Sequence, residues 1–158
     1  GLSSRRFVFE GFLPQEKKER QAALERLRSE TRTMVLYEAP HRIKRTLAEL
    51  QDVLGERSIR ICRELTKIHE EVMALTISEA LTYFEENEPK GEMVVLVEGK
   101  SEETLQEEAK AAWESLSVAE HVKKYVDEGM DEKEAMKKAA ADRGVSKRDI
   151  YKELKVNE

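Results

Sequence analysis

Thr33-Met34-Val35-Leu36-Tyr37-Glu38-Ala39-Pro40-His41-Arg42-Ile43 decides how the chain is read, because an apolar run ends there in a polar cluster and a helical pattern follows at once. Met34, Val35 and Leu36 read as a short strand buried on both faces, the kind found inside parallel sheets. Pro40 fits the first turn of a helix, where its missing N–H costs nothing. Ile43, Leu47, Leu50 and Leu54 then continue at spacings of four, three and four. A strand, a polar turn and a helix in that order present Tyr37, Glu38, His41 and Arg42 at the carboxyl end of a strand, where open α/β sheets bind ligands.

The totals narrow the class. With 158 residues, 39% hydrophobic and 39% charged, the chain suits one helix-rich α/β domain with a small appendage. A net charge of -5 argues against a surface that clamps a polyanion everywhere, so any nucleic-acid contact must be regional. The single cysteine, Cys62, excludes an intrachain disulfide, fits a reducing compartment, and reads as a small core residue rather than a nucleophile. No signal peptide is visible and no apolar run approaches the ~20 residues of a membrane helix, so a cytoplasmic location without membrane contact is expected.

Outward from the opening stretch, Phe7 to Phe9 reads as a strand that turns at Gly11-Phe12-Leu13-Pro14. Residues 15 to 29 read as a charged helix with Ala23, Leu24 and Leu27 as its apolar stripe. Gly55 stands where a helix C′ glycine is expected. Ser58 to Arg63 alternates, with Ile59 and Ile61 on one face and Arg60 and Cys62 on the other. Glu71 to Thr76 reads as a fourth strand, with a short helix opening at Ser78-Glu79. Met93 to Val97 reads as a central strand buried on both faces. From Ser101 only helical patterns remain, and Trp113 reads as a packing anchor. Capping signatures recur at Ser117 with Glu120, Asp131 with Glu134, and Ser146 with Asp149. The short turn Arg143-Gly144-Val145-Ser146 is that of a helix-turn-helix. Two regions follow, 1–100 as an α/β domain and 101–158 as a helical tail.

His41, His69 and His121 are far apart and no Cys pair exists, so no metal is expected. No Gly-x-Ser-x-Gly and no phosphate-binding glycine loop occurs. What remains is three polar strand ends: Tyr37-Glu38 with His41-Arg42, Arg63-Glu64-Leu65-Thr66-Lys67 with Glu70, and Glu98-Gly99. If the strands are parallel neighbours, all three line one rim and wall a pocket. The plain alternative is that these charges are surface ion pairs, each worth little. Arg143, Lys147, Arg148, Lys152 and Lys155 are candidates for phosphate contact, although Asp142, Asp149 and Glu153 among them favour a solvated face.

Four motifs in order, Phe7-Val8-Phe9-Glu10-Gly11-Phe12-Leu13-Pro14, Tyr37-Glu38-Ala39-Pro40-His41-Arg42, Arg63-Glu64-Leu65-Thr66-Lys67 and Lys90-Gly91-Glu92, resemble the ribosomal RNA branch of the tetrapyrrole methylase superfamily. The resemblance implies the C-terminal α/β domain of that fold, with a mostly parallel or mixed sheet of about five strands and flanking helices. After it comes a small all-α, helix-turn-helix-like tail. It also implies an S-adenosylmethionine-dependent enzyme that methylates the ribose 2′-hydroxyl of a cytidine in 16S ribosomal RNA, working on the RNA or the small ribosomal subunit as a homodimer. The cofactor cleft would be shared with an N-terminal domain preceding Gly1, which leaves this chain alone inactive. Under this resemblance Tyr37, Glu38, Glu98 and Gly99 are expected to meet the cofactor. His41, Glu64 and Lys67 are expected to relay the hydroxyl proton, and Arg42, Arg63, Lys147 and Arg148 to meet RNA. Two other readings stand beside it: a tetrapyrrole or corrin-precursor methylase, and a nucleic-acid-binding module without chemistry.

Overall fold

The computed structural model describes residues 1–156 and divides the chain into two units, Gly1–Glu102 and Glu103–Glu158. In the first, alternating strands and helices give β1 (Phe7–Phe12), α1 (Lys17–Leu27), β2 (Thr33–Glu38), α2 (Ile43–Leu54), β3 (Ser58–Arg63), β4 (Glu71–Thr76), α3 (Ile77–Glu86) and β5 (Met93–Val97). The sheet order is β1-β2-β5-β3-β4, with β1 parallel to β2 and every other neighbouring pair antiparallel. The sheet is therefore mixed, and β1, β2 and β3 all run the same way while the central β5 runs against them.

That direction corrects the expected rim. Met34 pairs with Val97 and Glu38 with Met93, so the C-terminal ends of β2 and β3 lie beside the start of β5, not its end. Glu98 and Gly99 sit at the opposite rim. There the Glu98 N–H donates to the Ser58 carbonyl at 2.9 Å. Gly99 packs so closely on the Thr31 backbone that no Cβ would fit.

One face of the sheet is covered. Ile43, Leu47, Leu50, Ile77, Ala80, Phe84, Leu24 and Leu27 from the helices close over Met34, Leu36, Ile59, Ile61, Val95 and Val97. The other face is open. Strand register lines up Phe12, Tyr37, Val94, Cys62 and Val72 in one row across it, and Phe9, Val35, Leu96, Arg60 and Ala74 in the next. The expectation that β2 and β5 are buried on both faces is thus corrected: Phe9, Phe12, Tyr37 and Val72 are exposed, and Val94 and Leu96 only half-buried. Cys62 is half-buried on this open face rather than in the core, and its thiol is pushed up, first by burial and then by the Glu70 carboxylate.

α2 begins at Ile43, three residues after Pro40. Pro40 instead occupies a turn closed by the Arg42 N–H on the Ala39 carbonyl at 3.0 Å, a position for which its fixed φ is equally suited. Below this turn lies a buried polar network. Glu38, 3% exposed, accepts from the Ala39 N–H at 2.8 Å, Arg42 Nε at 2.9 Å and Thr46 Oγ1 at 2.6 Å. Thr46 Oγ1 in turn accepts from Arg20 Nη2 at 2.7 Å, and Arg20 Nε donates to Glu49 at 2.6 Å. Burial pushes the Glu49 carboxyl up, but the hydrogen bonds from Arg20 and Arg45 outweigh it and hold it below the ordinary carboxylate range.

The second unit carries most of α4 (Glu102–Glu114), then α5 (Val118–Asp127), α6 (Glu132–Arg143) and α7 (Lys147–Val156). Val118, Val122, Ala135, Ala139, Ala140 and Ile150 form its core. Ser117 and Glu120 make a reciprocal capping box, Asp131 caps α6 through the N–H groups of Lys133 and Glu134, and Gly144 ends α6 in the left-handed conformation. His121 is fully buried and stacks on Trp113 with centroids 5.1 Å apart. Its Nδ1 accepts from Arg143 Nε at 3.0 Å, so the proton sits on Nε2, which lies 3.4 Å from Asp142 Oδ2. Arg143 also donates to the Leu116 carbonyl at 2.5 Å and lies over the Trp113 ring, so it is built into this cluster and is not a phosphate contact.

Two outcomes follow from these networks. Thr46→Val removes the hydroxyl shared by Glu38 and Arg20 without changing shape. It should cost about 1–3 kcal/mol in urea unfolding, with Thr46→Ser recovering most of it. Burial, with Arg143 nearby, holds the His121 pKa below its ordinary value against the opposing pull of Asp142, so the unfolded chain takes up a proton that the folded unit excludes. The stability this contributes is full above the unfolded value of about 6.5 and is lost as pH falls below it. Thermal unfolding followed by fluorescence of Trp113, the chain's single tryptophan, should show that loss, and His121→Gln should flatten it.

Candidate functional site

The rim where β1 and β2 end and β5 begins carries a cleft of about 470 Å³. Phe12, Tyr37, Ala39, Pro40, Leu65, Met93 and Val94 make it largely apolar, and Lys67 and Glu92 supply charge at its edge. Local structure explains each placement. Alternation along β2 buries Met34, Leu36 and Glu38 and turns Tyr37 the other way, where its ring meets Phe9 and Phe12 edge-on at 5.2 and 5.6 Å. The Ala39–Arg42 turn folds Pro40 over the cleft, and Arg42 lies 5.7 Å above the Phe12 ring.

The link between β3 and β4 forms the other edge. Glu64 and Thr66 both hold positive φ, 50° and 66°, conformations that non-glycine residues adopt only where the surroundings impose them. The surroundings are visible: the Glu64 N–H donates to the Glu92 carbonyl at 3.1 Å, and the Glu64 carboxylate accepts from the Glu92 N–H at 2.9 Å. The Thr66 N–H donates to Glu70 at 2.6 Å. Gly91 is required here, because a side chain at its positive φ would run into the Glu64 carboxylate.

Lys67 Nζ lies 3.0 Å from Glu92 and 3.2 Å from Glu64. The Glu92 and Glu64 hydrogen bonds raise the Lys67 pKa, while the Glu92 backbone and the Lys67 ammonium lower that of Glu64. Both groups are therefore held in their charged forms. Lys67 is a fixed cation and not a proton acceptor, and Glu64 is a weakened base whose carboxylate is occupied in bracing Gly91-Glu92.

The remaining expected residues separate. His41 is exposed in the turn directly after the cleft-lining Pro40. Glu38 touches the cleft wall, but its oxygens are taken by the Ala39 N–H, Arg42 and Thr46, which makes it an organiser of the turn. Arg63 pairs with Glu71 at 2.7 Å. Together with Glu64, His69, Lys90 and Gly91 it lines a second depression of about 380 Å³. Glu98 and Gly99 belong to the far rim. Lys147 and Arg148 stand at the start of α7, in the second unit. The sequence reading missed Phe12, Leu65, Glu92 and Met93 as lining groups, and Arg20, Thr46 and Glu49 as the support beneath. Only Thr46 and Glu49 carried a local signal, being placed three apart on the inner side of α2. Among the described residues no group of three or more His, Cys, Asp or Glu side chains is arranged to hold a metal, and no helix is long and apolar enough to cross a membrane.

Residues 3–81 match the family model described as Tetrapyrrole (Corrin/Porphyrin) Methylases. Over 151 residues, 96% of the chain, the sequence is 44% identical to ribosomal RNA small subunit methyltransferase I of Bacillus subtilis and 47% identical to that of Halalkalibacterium halodurans, covering 51% and 52% of those proteins. The protein of the same name from Synechocystis is 38% identical over 152 residues, with 53% of its length covered. The chain thus spans about half the length of the curated relatives it matches. With its mixed five-stranded sheet and the match across β1 to α3, the chain belongs to the tetrapyrrole methylase family.

Proposed function

We propose that the chain forms one wall of an S-adenosylmethionine site in an enzyme that methylates the ribose 2′-hydroxyl of a cytidine in 16S ribosomal RNA. The observation that carries this reading is the apolar cleft at the β1–β2–β5 rim, edged by Lys67 and Glu92, in a chain 44–47% identical to proteins named for ribosomal RNA methylation. The cleft lining fits the cofactor's chemistry. Phe12, Tyr37, Pro40, Leu65 and Met93 offer flat or apolar surface to a purine, and the charged edge offers partners for polar groups. When bound, the cofactor supplies the methyl group on a positively charged sulfur.

The chain's own residues then divide the work. Tyr37, held edge-on by Phe9 and Phe12, fixes the ring plane of the cleft. Glu64 and Glu92 keep carboxylate charge at its edge, and Lys67 holds both of them in place. His41, exposed beside Pro40, accepts the hydroxyl proton, the task to which imidazole is best suited near neutral pH. Arg63 and Arg42 meet RNA phosphates at the rim, and Lys147 and Arg148 do so on the helical unit. The substrate is 16S RNA or the small ribosomal subunit, the enzyme pairs as a homodimer, and it works in the cytoplasm.

The test is methylation by the complete gene product, given labelled cofactor with small-subunit particles or with naked 16S RNA. Label is expected on a cytidine ribose. His41→Ala should lower kcat by about 10²–10⁴. Tyr37→Ala should raise the cofactor KM about tenfold through loss of its ring contacts. Absence of label in RNA from the wild-type protein would overturn the reading, while an unchanged kcat in His41→Ala would remove that residue alone.

A further inference from the structure

Read along the chain, the basic residues of α7 alternate with acids, as in Lys147-Arg148-Asp149 and Lys152-Glu153. Read around the helix they do not. At ~100° per residue, Arg148, Tyr151, Lys152 and Lys155 fall within an arc of about 100°. Asp149 and Glu153 fall on the flank of that arc, and Ile150 and Leu154 on the side facing the unit's core. Burial agrees: Ile150 is buried and Leu154 partly buried against the core, whereas Arg148, Tyr151, Lys152 and Lys155 are exposed. Asp149 is further committed to the helix start, where it accepts from the Ser146 hydroxyl at 2.5 Å and the Ser146 N–H at 3.2 Å.

The middle of this strip is aromatic. Tyr151 is 49% exposed, and Lys155 Nζ lies over its ring, 5.1 Å from the centroid, which keeps the ring within the line of cations. Among the described residues no carboxylate falls within the arc, although Asp149 on its flank, whose pKa Ser146 lowers most, is close enough to Arg148 and Lys152 for both to lower it further, and the arc forms a local basic strip on a chain whose net charge is -5. Cations spaced along a helix match a phosphate backbone, and an exposed ring set among them offers a face to an unstacked base. A duplex keeps its bases stacked inside and leaves such a ring unused.

We propose that this face of α7 is a docking strip for single-stranded RNA, with phosphates on Arg148 and Lys152 and a base stacked on Tyr151. The choice of RNA as the polymer rests on the function proposed above; the strip rests on charge placement and ring exposure.

The test measures fluorescence anisotropy of the 158-residue chain with a labelled single-stranded RNA of about 20 nucleotides and mixed sequence, over a salt series. Arg148→Glu with Lys152→Glu should weaken binding at least about tenfold and flatten the dependence of log affinity on log salt by about 1.4. Tyr151→Ala should weaken it at least about fivefold while Tyr151→Phe, which keeps the ring, binds as the wild type. On the RNA duplex of the same sequence, Tyr151→Ala should have no effect. Lys137→Glu, on exposed α6 surface outside the strip, should change affinity less than about twofold. Circular dichroism that matches the wild type establishes that each variant is folded. The proposal is overturned if the wild type does not bind saturably, if the charge-reversal pair binds as the wild type or no worse than Lys137→Glu, or if Tyr151→Phe fails as Tyr151→Ala does. No readout here involves methyl transfer. A chain that binds RNA through α7 while the complete gene product leaves RNA unlabelled keeps the strip and ends the enzymatic reading; the reverse pair of results ends the strip alone.

Discussion

A carboxylate buried at the end of a strand has to be surrounded by donors, and Glu38 meets that demand by tying together the turn and helices on one side of the cleft. Its donors come from the following turn, through Ala39 and Arg42, and from α2, through Thr46, whose hydroxyl then engages Arg20 on α1. Two helices and a turn are therefore positioned against β2 by one side chain. Burying Glu38 on the covered face also puts Tyr37 on the open face by simple alternation, and Tyr37 is the ring that the cleft is built around. The acidic residue that the sequence suggests as a ligand contact thus acts through the backbone it braces.

Much of this was legible in local pattern and the rest was not, for reasons that can be named. Periodicity fixed the strands at residues 58–63, 71–76 and 93–97 and the apolar stripe of α2, because each depends on neighbours within a few residues. Caps at Ser117 and Asp131 were legible for the same reason. The direction of β5 was not, since Met93-Val94-Val95-Leu96-Val97 is equally apolar read either way, and only pairing with β2 and β3 reveals that its start, not its end, meets Tyr37. The open face also misled. Val35, Val94 and Leu96 are apolar although the face they lie on leaves them only half-buried, so the runs looked buried on both sides. Arg20 lies 26 residues from Thr46 and 29 from Glu49, beyond any local signal.

Residues of one chemical type met opposite fates in the helical unit. Arg143 and Arg148 are only a few positions apart, yet the first is folded against Trp113 and His121 while the second stands in solvent. The difference is angular position relative to the core. Arg143 ends α6 beside His121, a buried ring with an acceptor nitrogen to satisfy, whereas Arg148 lies across the helix from the buried Ile150. A linear count of charges puts both in one basic cluster and lets Asp149 and Glu153 neutralise it. Geometry removes Arg143 from the cluster and moves the two acids to its flank, where Asp149 still meets Arg148 and Lys152, which is why interleaved charge in a helix is a poor guide to the potential that a partner meets.

Lys67 shows the same distinction at the cleft. Considered alone, an ammonium near a reactive centre suggests an acid or, once deprotonated, a base. Held between Glu64 and Glu92, it is neither, because both carboxylates favour its charged form and it favours that of Glu64. The trio has two carboxylates and one ammonium, so the mouth of the cleft is set to a small excess of negative charge. On the proposed reading that excess has a direction: it attracts a cofactor bearing a positive sulfur more than the product that has lost that charge, and screening by solvent keeps the preference modest. Gly91 is part of the same device, since the Glu64 carboxylate can reach the Glu92 N–H only because no side chain stands at residue 91.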